Sequence, residues 1–192
     1  MRAGLANPYL AYFDSLPASC RSDPLVAPDA REALVPGWLE FKTAVASAYA
    51  WAVPTEEAIL AIARHAPRLL EIGAGSGYWS WLLAQAGADV VAVDAQPAPR
   101  TWFPVRPGGE LEAALHPDRA LFLCWPPWNA PMALNALLCH AGDTVVYVGE
   151  WLGGNAEPRF FDRLAREYEL VESVAIPQWW MRRDAVTIHR LR

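Results

Sequence analysis

The chain has 192 residues, 54% of them apolar and 19% charged, with a net charge of −5. That length suits one domain with a sizeable core, and the acidic balance gives no electrostatic reason to bind nucleic acid. The three cysteines, Cys20, Cys124 and Cys139, and the four histidines are scattered without disulfide-framework or metal-ligand spacing. This pattern points to a reducing compartment and to no metal.

The first residues, Met1 to Pro8, lack the apolar run of a signal peptide. A long uncharged stretch, Ala120 to Gly142, contains Pro126, Pro127, Asn129 and Pro131. It therefore reads as strand, loop and helix, not as a membrane span. The expectation is a soluble, cytoplasmic protein with no membrane partner.

Five prolines up to Pro36 keep any helices there short. Residues 37–53 carry Trp38, Phe41, Val45, Ala48 and Tyr49 at helical spacing, and Thr55 is a plausible N-cap for a further helix. The first strand begins at Leu69. It ends in Glu71-Ile72-Gly73-Ala74-Gly75-Ser76-Gly77, after which Tyr78 and Trp79 open a helix running to about Ala86. Strand two is 88–94 and ends in Asp94. A proline-rich loop follows, with a stub of strand at 102–106 and a short helix at 109–116. Strand four is 120–124, a helix covers 132–140, and strand five is 144–149. An amphipathic helix at 158–168 precedes strand six, 170–176, and the last strand is 185–191. Alternating strands and helices imply an α/β fold with a mostly parallel sheet. The closing pair, joined by a short turn, implies one antiparallel strand.

Glycines after a strand and before a helix let a ligand approach main-chain N–H groups. Asp94 follows them by about 20 residues, where an acidic side chain can accept both ribose hydroxyls. The spacing is G-x-G-x-G, with Tyr78 where the dinucleotide fingerprint G-x-G-x-x-G wants a small residue.

These residues resemble the class I S-adenosylmethionine (SAM)-dependent methyltransferase superfamily, whose first motif is an acidic residue followed by G-x-G-x-G. The resemblance implies a Rossmann-like, seven-stranded sheet with the last strand reversed. It also implies a helical N-terminal segment, 1–66, acting as a lid or simply packing on the sheet, and a SAM-binding domain, 67–192. From Trp51-Ala52-Val53-Pro54 onward, including Glu71–Trp79 and Leu123–Pro127, the chain is similar to a narrower group of small methyltransferase-like proteins with W-A-x-P, E-I-G-A-G-x-G-Y-W and L-x-x-W-P-P segments. By that resemblance Glu71, Gly73, Gly75, Gly77, Tyr78, Trp79, Trp125 and Pro126 face SAM, Asp94 holds the ribose, and Trp125 lies near the transferring carbon.

Trp125-Pro126-Pro127-Trp128 looks like a variant of the D/N-P-P-Y/F motif of nucleobase amino-methyltransferases. Trp125 can donate one N–H but cannot accept an amine proton, so nucleic acid is a poor substrate. Trp125, Trp128, Trp151, Trp179 and Trp180 follow predicted strand ends and Trp79 opens the helix on the same edge, where an aromatic rim would attract a sulfonium with about 0.5–2 kcal/mol. Glu150 ends strand five. It is either a base or ammonium ligand, or a structural carboxylate. Lys42, the only lysine, is not expected near these motifs.

Three functions follow from this reading. The first is methyl transfer from SAM to a small molecule. The second is cyclisation of SAM's own aminobutyrate with release of methylthioadenosine, and the third is SAM binding without catalysis. A dinucleotide oxidoreductase ranks below all of them.

Overall fold

A computed structural model describes residues 4–17, 20–21, 37–180 and 182–192. The chain opens with α1 (Pro8–Ser15), α2 (Trp38–Ala48) and α3 (Glu56–His65), then β1 (Arg68–Ile72), α4 (Tyr78–Gln85), β2 (Asp89–Asp94) and β3 (Val105–Pro107). It continues through α5 (Glu112–Leu115), β4 (Ala120–Cys124), α6 (Met132–Cys139), β5 (Thr144–Glu150), α7 (Pro158–Glu167), β6 (Tyr168–Ala175) and β7 (Asp184–Leu191).

The seven strands form one sheet in the order β3-β2-β1-β4-β5-β7-β6. The pairings from β3 through β5 are parallel. Strand β7 runs antiparallel to both β5 and β6, as the short turn before it predicts. Strands β4 and β5 are almost wholly buried, because helices cover both faces of a parallel sheet. Their side chains divide by alternation. Phe122, Val146 and Val148 pack with Ile59, Ile62, Trp79 and Leu82 on one face. Leu121, Leu123, Val145 and Tyr147 pack with Leu134, Leu137, Phe160 and Leu164 on the other.

Local chemistry sets the helix ends. Thr55 caps α3 by accepting from Ala58 N at 3.1 Å, as its position predicts. Asn7 caps α1 by accepting from Leu10 N at 3.1 Å, with Pro8 in the first turn.

Helix α1 is fastened to the connection between α2 and α3, and to Trp179 in the turn before β7. Tyr9 Oη donates to Ala50 O at 2.9 Å, and Asn7 Nδ2 donates to Pro54 O at 2.8 Å. Trp179 Nε1 donates to Tyr9 Oη at 2.9 Å. The Tyr9 ring also stacks on Tyr49 at 4.8 Å. Residues 22–36, which hold Pro24, Pro28 and Pro36 of the proline-rich segment, lie outside the described residues. Among the described residues no helix is long and apolar enough to cross a membrane.

Candidate functional site

The chain reverses direction after β1 through Gly73, Gly75 and Gly77, all at positive φ. At Gly77 a side chain is excluded by space as well, since a Cβ would lie 2.9 Å from Val105 Cγ2 and 3.1 Å from Phe103 O. At Gly75 a Cβ would meet nothing within 4 Å. The main chain there is bare toward an open space, which is how a glycine turn admits a ligand.

That space is a cavity of about 970 Å³ at the carboxyl ends of β3, β2, β1 and β4. Its walls include Gly73, Gly75, Tyr78 and Trp79, then Asp94 and Gln96, and at the far end Trp51 and Trp125. Open parallel sheets bind ligands at this edge.

Asp94 faces the glycine turn. Its Oδ2 accepts from Gly75 N at 2.8 Å and its Oδ1 accepts from Gln96 N at 2.8 Å. A carboxylate offers about four lone-pair sites. Two are engaged, so two remain for a vicinal diol. The amides thus orient the carboxylate without exhausting it.

Glu71 also lines the cavity but is 1% exposed, and its Oε2 accepts from Ser80 Oγ in the first turn of α4. Burial pushes its carboxyl up to about 8, against the opposing hydrogen bonds from Ser80. Tyr78 turns its hydroxyl toward the N-terminal segment, accepting from Tyr9 N at 3.0 Å and donating to Asn7 Oδ1 at 2.9 Å. Ser76 Oγ donates to Tyr49 O, and Trp102 Nε1 donates to Ala48 O at 2.8 Å. The glycine turn is therefore tied to the chain between α2 and α3.

No family model matches the chain, and no curated protein matches it. Among solved structures it is similar to the Burkholderia thailandensis 1,6-didemethyltoxoflavin-N1-methyltransferase, solved with 1,6-didemethyltoxoflavin and S-adenosylhomocysteine bound. The TM-score is 0.51 and the identity 16%, over 88% of this chain and 92% of that one. It is also similar to a proposed tRNA methyltransferase of Streptococcus pneumoniae, with a TM-score of 0.51 and 11% identity, over 70% of this chain and 68% of that one. The chain has the class I methyltransferase fold.

Within this methyltransferase fold, the expected site residues separate. Glu71, Gly73, Gly75, Tyr78, Trp79, Asp94 and Trp125 line the one cavity. Gly77 sits under the turn as the N-cap position of α4. Pro126 is buried, with its carbonyl accepting from Ala156 N at 3.0 Å, and Pro127 lines the cavity in its place. Glu150 lies off the cavity wall and approaches Arg182 at 3.8 Å.

The expected tryptophan rim is not assembled. Of its six members only Trp79 and Trp125 reach the cavity. Trp179 points inward, 4.9 Å from Phe13 and 5.8 Å from Trp38, and Trp180 joins the same core. Trp151 packs on Phe161 at 4.8 Å, and Trp128 is 67% exposed. A strand-end position fixes a Cα, not the direction of a side chain.

Trp51 forms a wall that the rim expectation missed. It stacks on Trp125 with centroids 5.3 Å apart and planes at 12°. The expectation for Lys42 is overturned too, because its ammonium stands 4.7 Å from the Trp125 ring centroid. Trp125 therefore already holds a protein cation.

Proposed function

We propose that this protein transfers a methyl group from SAM to a small molecule. The observation that carries the reading is Asp94, held by Gly75 N and Gln96 N at the mouth of a glycine turn, with acceptor capacity left for the two ribose hydroxyls. The donor's methionine part would then run along Gly73–Gly75 toward Trp79 and Trp125. Its ammonium would approach Glu71, whose charge such a cation favours.

SAM supplies an already activated methyl group, so the chain's task is orientation and exclusion of water for in-line displacement at the methyl carbon. Ala46, Ala50, Trp51, Trp125, Pro127 and Met132 give the β4 end of the cavity a mainly apolar lining. That lining and the cavity's size favour a small acceptor over a phosphate backbone, which Lys and Arg side chains would have to neutralise. The tRNA methylation named for one structural neighbour is therefore not carried over. Catalysis is assigned to placement of the acceptor against Trp125, and Glu150, ion-paired and off the cavity wall, is not assigned as the base.

The test is incubation with SAM alone and then with a panel of small amines, thiols and phenols, with product analysis. S-adenosylhomocysteine formed only when an acceptor is present supports methyl transfer. Methylthioadenosine formed without acceptor replaces it with ring closure of SAM. Binding of SAM with no turnover over the panel points to a non-catalytic module.

A further inference from the structure

A group of charges lies behind the Trp51–Trp125 wall. Lys42, on α2, is 5% exposed, and its ammonium stands over both indoles, 4.7 Å from the Trp125 centroid and 5.6 Å from that of Trp51. The Arg182 guanidinium lies 5.1 Å from the Trp125 centroid. Asp184 opens β7, directly opposite Glu150 in the β5–β7 register, and is 2% exposed. Two cations from different elements thus stand over one indole, with Asp184 beside it and Glu150 3.8 Å from Arg182.

Buried charges of this kind are costly unless opposite charges offset them. Neither Asp184 oxygen has a hydrogen-bond partner among the described residues. The Trp125 indole N–H is near enough to favour the ionised carboxylate without meeting it in a regular hydrogen bond. Lys42 and Asp184 make no direct ion pair among the described residues, yet each favours the other's charged form. Trp125 itself needs support. Its φ is 52°, a left-handed conformation that a bulky residue adopts only when its surroundings impose it.

We propose that Lys42 and Asp184 are positioning residues, whose opposite charges, anchored on α2 and β7, clamp Trp125 as the wall of the cavity's β4 end. The catalytic consequence of the clamp rests on the methyl-transfer reading, whereas the clamp itself does not. Burial, then the neighbouring Arg182 charge, brings the Lys42 ammonium down to about 8, while Asp184 and Glu150 pull it back up. Burial raises the Asp184 carboxyl to about 6 against the pull of Lys42, Trp125 and Arg182, with Glu150 adding to the rise. Cys124, Tyr9 and Tyr147 also face Asp184; burial raises all three, and the Asp184 charge adds to the rise. Between about 6 and 8 the clamp therefore holds both its charges.

Because Lys42 is the only lysine, 13C-lysine labelling reports on it alone by NMR. The expected result is methylene signals moved upfield by the two indole ring currents, titrating near 8 and not near 10.5. Asp184→Asn removes an anion, so it should move that midpoint lower. Saturating S-adenosylhomocysteine should shift the Lys42 signals, because the ligand shares the Trp125 wall; a lysine remote from the site would not respond. Signals without ring-current shift that titrate near 10.5 overturn the clamp, and the wild-type titration decides this even if Asp184→Asn fails to fold. An unchanged midpoint in a folded Asp184→Asn protein overturns Asp184's part. Calorimetrically confirmed binding of S-adenosylhomocysteine with no response at Lys42 overturns the link to the cavity. Absence of that binding instead removes the methyl-transfer reading, and the clamp then stands or falls on the wild-type titration.

Discussion

The Asp94 carboxylate accepts from the Gly75 amide at 2.8 Å, joining the end of β2 to the glycine turn that follows β1. Strand two brings the acid to the sheet edge, and the positive φ of Gly75 turns its N–H toward it. Asp94→Asn keeps the size of the side chain but replaces one acceptor with an amide donor. Hydrogen bonds to a charged group contribute about 1.5–3 kcal/mol, so S-adenosylhomocysteine affinity should fall about 10- to 100-fold by calorimetry. The far-ultraviolet circular dichroism should be unchanged.

Gly75→Val tests the open space above the turn. The left-handed backbone costs a non-glycine residue about 1–2 kcal/mol, which corresponds to a few degrees in thermal midpoint for a chain of this size. The new side chain meets no protein atom within 4 Å of its Cβ and projects into the cavity. The expected result is a folded protein, slightly less stable, that no longer binds S-adenosylhomocysteine. Unimpaired binding would place the ligand elsewhere.

Glu71 makes stability depend on pH. Its carboxyl rises from the usual 4.5 to about 8 because it is buried. Between those values the folded chain keeps a proton that the unfolded chain releases. Stability therefore falls as pH rises through that window, at up to about 1.4 kcal/mol per pH unit. Glu71→Gln cannot titrate, so its denaturant midpoint should lose this part of the slope. Parallel pH profiles for the two proteins would show that Glu71 is ionised in the fold.

Tyr78→Phe tests the fastening of α1. The hydroxyl serves Tyr9 N and Asn7 Oδ1 together, and its loss leaves both without that partner. The expected cost is about 1–3 kcal/mol, with hydrogen exchange accelerated first in α1. Uniform acceleration across the sheet would mean that α1 opens only with the whole domain.

The glycine turn, Asp94 and the succession of strands and helices along the chain were legible in the sequence because each is a local signal. A turn needs glycines at fixed places, and alternation or an apolar run marks a strand. The helix and strand limits shifted by only a few residues; strand six, for example, begins at Tyr168 rather than Leu170. The charged cluster behind Trp125 was not legible. Lys42 and Trp125 are far apart in sequence, and nothing near either residue records that α2 lays the ammonium on that indole. Trp179 and Trp180 were misread for the related reason that α1 and α2 supply the surface they bury against.

The most direct measurement is a calorimetric titration of the purified, folded chain with SAM and with S-adenosylhomocysteine, using NAD as a control. Saturable one-site binding of both adenosyl ligands, weakened in Asp94→Asn and absent with NAD, is the predicted result. No heat with either adenosyl ligand, or equal affinity in the wild type and Asp94→Asn, would contradict the assignment of the Asp94–Gly75 cleft as a SAM site.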